Sequence, residues 1–276
     1  MPWRNTRDPY KILVSEVMLQ QTQVSRVTPK YKEFLKTFST VQALSETNDK
    51  KLLKVWQGLG YWRRAKNLKE TAKEIIKNYE GKLPKDIKTL ESLPGIGPYT
   101  ARALACFAFG SEEPFIDTNI RRLYIHFFFS RKTASETSIV LRGPRAAARG
   151  PNVPNQKNVH DKEILKIAKQ AVWKKNPREW HYALFDYGAK EIPKETNKKS
   201  RHYTRQTPFK NSFRFFRTKV VRALLEKPKN RASREEIGRM LSRELKRSEA
   251  TYSTKEIIAS LLKDKLLKKT KNHYSL

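Results

Sequence analysis

Two carboxylates in this 276-residue chain are placed to do chemistry, Glu16 and Asp117. Glu16 lies in PYKILVSEVML, with Ile12 and Leu13 one helical turn before it and Leu19 one turn after. Its carboxyl therefore emerges among apolar side chains, where desolvation favours the protonated form that a general acid needs near neutral pH. Asp117 opens DTNIRRL, a place where aspartate commonly caps a helix, and capping alone would explain it. Two carboxyls in unlike environments are also what glycosidic hydrolysis uses. One delivers a proton to the leaving group, and the other sets negative charge beside the sugar cation.

The stretch LPGIGPYTA at 93–101 ends one short helix and begins another. Gly95 and Gly97 can take the backbone angles of a tight hairpin, and such a loop exposes amide N–H groups. Those amides, at Gly95, Ile96, Gly97 and Thr100, lie at the positive end of the helix starting near Pro98 and suit one phosphate, regardless of base sequence. An ordinary turn between helices accounts for the same residues. The charge balance tilts the choice: 59 Lys and Arg against 27 Asp and Glu give +32, an excess that calls for a polyanionic partner, with nucleic acid first. No run of 18 apolar residues, signal-peptide core or lipidation motif supports a membrane as the partner. Cys106 is the one cysteine, which excludes an internal disulfide and any all-cysteine zinc or iron-sulfur site made by these residues alone. A cytoplasmic location is expected.

The elements that must carry these groups are helices, with apolar residues at three- and four-residue spacing and short Pro and Gly breaks. The pattern predicts helices over 9–20, 25–37, 41–45, 49–57, 61–79, 87–92, 98–109 and 119–128, then 161–173 and 180–187. No segment alternates as a strand of a large sheet would, so the fold class is all-α. A basic, Pro-, Gly- and Ala-rich insertion covers 130–160. Residues 1–190 read as one domain, 191–208 as a basic linker and 209–276 as a small basic module. The module shows helices over 213–225, 234–245 and 253–266 and then KKTKNHYSL, three helices closed by a strand pair, which fits a winged helix. A plain three-helix cap fits as well.

PWR at 2–4, DPY at 8–10, SEVMLQQTQV at 15–24, WQGLGYWRRAKNL at 56–68, LPGIGPYTA at 93–101 and FIDTNIRRL at 115–123 resemble, in this order, motifs of the helix-hairpin-helix DNA glycosylase superfamily. The likeness is to its A/G-specific adenine glycosylase (MutY-type) branch, and HYALFDYGA at 181–189 is a fainter match. The resemblance implies base excision repair. Glu16 would protonate N7 of a flipped adenine opposite G or 8-oxoguanine, Asp117 would stabilise the oxocarbenium character of the sugar, and Asn119 would orient Asp117 or the attacking water. Tyr99 stands where members with lyase activity carry the lysine that forms a Schiff base. It implies a monofunctional enzyme, with the phenol bonded to Asp117 or to the nucleotide, although an amphipathic Tyr packed under the hairpin would look the same. Trp3 and Arg4 would line the base pocket, and Leu19 and Gln21 would wedge into the base stack. As plain residues, Trp3 and Leu19 fit a core, and Arg4 a solvated surface.

Departures from the family pattern are equally specific. No cysteine follows Gly188, so no iron-sulfur cluster and no other cofactor is expected, apart from a monovalent cation at the hairpin. The basic run 190–211 would reach the DNA backbone in place of the cluster loop. Thr118 replaces the usual glycine, the expected oxoguanine-reading domain is missing, and the helix before PWR is absent, pointing to a shortened start. Double-stranded DNA with a mispair or lesion is the implied partner of a monomer in a prokaryotic nucleoid. Two alternatives stay open: a thymine or uracil glycosylase acting on G mismatches, and a non-catalytic DNA-binding module.

Overall fold

Side-chain caps mark where most of the helices begin. The computed structural model describes residues 1–130, 158–205 and 207–276, so most of the insertion expected at 130–160 lies outside the described residues. A 3-10 turn at Pro2–Asn5 leads to α1 (Pro9–Leu19), whose N-cap Asp8 accepts from the amides of Tyr10 and Lys11. Then come α2 (Val24–Thr37), α3 (Val41–Glu46), α4 (Asp49–Trp56), α5 (Arg63–Asn78), α6 (Ile87–Ser92) and α7 (Pro98–Phe109). Thr40, Asn48 and Asp86 cap α3, α4 and α6, satisfying amides that have no partner within the helix. Asp117 caps α8 (Thr118–Phe128), His160 caps α9 (Asp161–Ala171) and Asn176 caps α10 (Pro177–Lys190).

The C-terminal module contains α11 (Phe213–Glu226), β1 (Arg231–Ser233), α12 (Arg234–Arg247), α13 (Thr254–Lys263), β2 (Lys268–Lys269) and β3 (His273–Ser275). Its sheet has the order β1-β3-β2, antiparallel throughout, with Ala232 opposite Tyr274 and Lys268 opposite Ser275. The helix–strand–helix–helix–hairpin order is the winged-helix arrangement. Of the module's helices and strands the sequence reading missed β1, because a strand of three residues is too short for alternation to register, and the 3-10 turn at Pro228–Asn230 before it.

The compact units follow borders other than those read in the sequence. Met1–Leu104 groups with Gln206–Leu276, and Ala105–Arg205 forms the second unit. The run 191–208 is not a bare linker: it holds a 3-10 helix at Lys194–Lys199, and Ser200 bridges to Val159 within the second unit. Ile192, Asn197 and Ser200 are buried there, a packing role that a polar composition conceals.

In the first unit the core is built on Leu13, Val14, Met18, Phe34, Leu52, Trp56 and Ile75, all essentially without exposure. Phe34 meets Phe38 and Trp56 edge-on at 4.9 and 5.9 Å between centroids. Phe216, Val220, Leu241, Ile257 and Leu261 form the apolar interior of the winged helix. That module is fastened to the start of α5: Trp62 Nε1 donates to Thr218 Oγ1 at 3.4 Å, Arg214 bonds the Tyr61 hydroxyl, and Asp264 takes both Arg63 and Arg217. In the second unit Phe107 stacks on Tyr182 and Phe115 on His181 at 4.5 and 4.2 Å. Among the described residues no helix is long and apolar enough to cross a membrane.

Candidate functional site

Glu16 lies in the middle of α1, and its residue is only 5% exposed. Burying a carboxylate is costly unless it is hydrogen-bonded or protonated. The Tyr99 hydroxyl, on the first turn of α7, donates to Glu16 Oε2 at 3.4 Å. Tyr99 thus pairs with the proposed acid, where the sequence reading expected Asp117 or a nucleotide. Next to it, Gln20 Nε2 donates to Thr100 Oγ1 at 3.2 Å. Thr100 is buried, so its hydroxyl faces the end of α1 and is not presented at the hairpin surface.

Arg64 sets the geometry where α1 ends. Its guanidinium is buried and donates to the carbonyls of Val17, Met18 and Gln20 at 2.7, 2.8 and 2.7 Å. It also reaches the carbonyls of Leu59 and Gly60 and Thr22 Oγ1. One planar fork thereby satisfies the C-terminal acceptors of α1 and ties down the following turn. Trp56 and Tyr61 lie against it at 5.4 Å each, and burial pushes its pKa down to about 10. Beyond this clamp Leu19 is half-buried, while Gln21 is exposed in the left-handed region at φ 53°. Trp3 packs edge-on against Tyr31 at 5.4 Å and is 4% exposed, the core placement the sequence left open. Arg4 is partly exposed.

At the hairpin only Gly95 uses a positive φ, of 76°; Gly97 does not, contrary to the expectation for both. A Cβ on Gly95 would come within 2.6 Å of Asn67 Nδ2, so α5 also demands glycine there. Thr71 Oγ1 donates to the Pro94 carbonyl at 2.8 Å, a second buttress from α5. Around Gly97 there is open space, whereas the Ile96 side chain is buried. The Ile96 amide donates to the Leu93 carbonyl at 3.1 Å, so with its side chain buried and its N–H engaged Ile96 is not the free phosphate donor that the sequence suggested.

Asp117, in the second unit, does cap its helix. Oδ1 accepts from the amides of Asn119 and Ile120 at 2.9 and 2.7 Å, and Oδ2 accepts from Asn119 Nδ2 at 3.1 Å. Even with these donors, desolvation raises its pKa above the ordinary aspartate value. The Ile120 and Asn119 amides and the charges of Arg121 and Arg122 only partly counter that rise. A carboxyl that caps a helix and is also costly to ionise is a candidate functional group. Arg122 is buried, and burial lowers its pKa; its Nη2 donates to Asn119 Oδ1 at 3.0 Å and to the Gly188 carbonyl. Gly188 has no room for a side chain, because a Cβ would collide with the backbone of Asn119. Arg121 closes the other side with a two-pronged bond to Asp161, both contacts at 2.7 Å. Arg64, Asn67, Thr71, Arg122 and Gly188 were not singled out in the sequence reading. All but Thr71 lie inside motifs quoted there, so for those four position in a motif was the signal and orientation was the missing information.

The donor set does not fit an iron-sulfur cluster. Cys106 is buried, with Sγ 3.6 Å from His181 Nδ1, and it is the chain's one thiol. Among the described residues no His, Cys, Asp and Glu cluster is arranged to hold a metal ion.

Residues 14–143 match the model of the HhH-GPD superfamily base excision DNA repair protein. An adenine DNA glycosylase of Mycolicibacterium smegmatis is 47% identical over 124 residues, 45% of this chain and 42% of that one. A thymine/uracil-DNA glycosylase of Methanothermobacter thermautotrophicus is 35% identical over 128 residues, covering 46% of this chain and 58% of that one. This chain thus spans less than half the length of the first relative. Among solved structures, that of a thermostable thymine-DNA glycosylase superposes with a TM-score of 0.54 at 28% identity, over 69% of this chain and 78% of that chain.

Proposed function

Because residues 14–143 match the model of the HhH-GPD superfamily of base excision DNA repair proteins, we propose that this chain is a monofunctional DNA glycosylase of that superfamily. Its substrate is adenine mispaired with G or 8-oxoguanine in duplex DNA. The observation that carries the reading is the unlike pair of carboxyls: Glu16, enclosed on α1 with the Tyr99 hydroxyl at Oε2, and Asp117, held by amides yet raised in pKa. A protonated Glu16 gives its proton to N7 of the flipped base, and the C1′–N9 bond breaks with its electron pair leaving on adenine. The ionised Asp117 sits by the sugar cation, water adds at C1′ and gives up a proton, and an abasic site remains. Asn119 and Arg122 position Asp117. Tyr99 offers no amine, so no Schiff base forms and the strand stays intact. The amides of Gly95 and Gly97, with open space at Gly97, take a backbone phosphate, while Leu19 and Gln21 fill the gap left by the base.

The reading extends to a monomer that works without a cluster, with basic residues of 190–211 on the DNA backbone, in the cytoplasm at the nucleoid. A second reading, excision of thymine or uracil opposite G, draws on the thymine/uracil relative and on the thymine-DNA glycosylase structure. Duplexes carrying A:oxoG, A:G, T:G or U:G, incubated with the protein and then treated with alkali, decide between them. Alkali-dependent cleavage at A, abolished in Glu16→Gln and Asp117→Asn with binding retained, is expected. Cleavage confined to T:G or U:G replaces the first reading with the second, strand breaks without alkali refute the monofunctional claim, and silence on every duplex leaves a binding module.

A further inference from the structure

The winged-helix module has a charge distribution that its packing does not use. From Thr251 to Leu276 the chain carries six lysines and two acids, and both acids are engaged. Glu256 Oε2 closes the capping box of α13, taking Ser253 N at 2.8 Å and Ser253 Oγ at 2.7 Å. Asp264 is shared by Arg63 and Arg217. Elsewhere in the module Glu236 pairs with Lys227 at 2.6 Å and Glu244 with Lys219 at 2.7 Å, so two of the acids of α12 are already neutralised. Lys255, Lys263, Lys265, Lys268, Lys269 and Lys271 are all exposed and make no ion pair among the described residues. Self-repulsion on so small a surface is relieved by a polyanion.

Shape selects which polyanion. The exposed side of α13 carries Lys255, Ala259 and Lys263, a small residue flanked by two cations at i, i+4 and i+8. Its ten residues extend about 15 Å, enough to lie in a major groove. The β2–β3 turn is braced: Arg234 N donates to the Asn272 carbonyl at 3.0 Å, Thr270 N to the His273 carbonyl at 2.9 Å, and the Arg234 guanidinium lies 5.9 Å from the Tyr274 ring. A fixed helix and a fixed basic hairpin on one small module suit the regular phosphate spacing of a double helix, not a pliable single strand. We propose that α13 and the β2–β3 hairpin are a second duplex-DNA contact, with the helix in the major groove and Lys268, Lys269 and Lys271 on flanking phosphates. The site is separate from the Gly95–Gly97 turn and binds without regard to a lesion.

Binding of the full chain to an undamaged 30-base-pair duplex, followed by fluorescence anisotropy across a salt series, tests this independently of any glycosylase activity. Each lost phosphate contact removes about 0.9 from the slope of log affinity against log salt. The Lys268→Ala/Lys269→Ala/Lys271→Ala variant should lower that slope by about two to three and weaken binding at least tenfold at moderate salt. Ala259→Glu should weaken it comparably through repulsion in the groove. Unchanged slope and affinity in both variants overturn the proposal. So does an equal loss in a Lys36→Ala/Lys50→Ala/Lys77→Ala control on exposed positions of α2, α4 and α5. Tighter binding of single-stranded DNA or RNA by the unaltered chain, weakened in the same lysine variant, overturns it in favour of a single-strand site.

Discussion

Replacing Arg64 with methionine keeps most of the packing volume and removes every donor of the clamp. Three acceptors in buried surroundings, the carbonyls of Val17, Met18 and Leu59, lose their partner. At about 2 kcal/mol for each buried unsatisfied group, the gross cost is about 6 kcal/mol. Against this, the depression of the guanidinium pKa to about 10 reflects a desolvation cost of about 3 kcal/mol that methionine no longer incurs. The net expectation is a loss of about 3 kcal/mol for Arg64→Met. Arg64→Lys should fall between, since one ammonium cannot serve both the α1 carbonyls and those of Leu59 and Gly60. Urea denaturation at pH 7 measures this as a lowered midpoint with an unchanged m-value. Base-excision rate should drop in parallel, because the turn carrying Leu19 and Gln21 loses its anchor. A loss under about 1 kcal/mol in the methionine variant, or full stability in the lysine variant, would refute the clamp.

Asp117→Asn retains a good N-cap while removing a carboxylate that is costly to ionise, so at pH 7 it should match or exceed the parent in thermal stability while excision is lost. The sign follows from the raised pKa: above the unfolded-state value near 3.9 the folded carboxyl binds its proton more tightly, so ionisation subtracts stability as pH rises through the folded value. For the same reason the acid limb of the excision rate in the parent should lie above the ordinary aspartate range, read from a single-turnover pH profile. Gly188→Ala should cost about 1–3 kcal/mol through the collision with Asn119, measured by thermal melting; a neutral result would mean that α8 and α10 are not packed as described. Asp49, whose burial is outweighed by hydrogen bonds from Lys66 and Lys69, has a pKa lowered to about 2. Asp49→Asn should lose about 2 kcal/mol at neutral pH. The difference from the parent should fade in acid unfolding curves as pH falls from about 4 through about 2.

Helices announced themselves by spacing, and the start of α8 by cap chemistry at Asp117; the caps Asp8, Asn48 and Asp86 came only with the structure. The enclosure of Glu16 was legible for the same reason, since apolar neighbours at three and four residues surround it on one helix. What linked different helices was not. Tyr99 sits 83 residues from Glu16, Arg64 works across 44 to 47 residues, and the clash at Gly188 involves Asn119, in another helix. No local period encodes such distances. The polar run at 191–208 misled for a related reason: Ser200 is buried where it bridges to Val159, about forty residues away, and its own hydropathy does not reveal that contact.

The first compact unit is discontinuous, with its closing two-fifths contributed by residues that follow the whole of the second. A growing chain that has just passed residue 205 presents Trp62 before Thr218 exists to meet its indole, and Arg63 before Asp264. Closing an excursion of about a hundred residues costs about 4 kcal/mol of chain entropy if it is left slack, and less once the intervening stretch has compacted. The order of synthesis therefore makes the winged helix the last piece to lock. The apolar surface it covers is meanwhile within reach of chaperones and proteases.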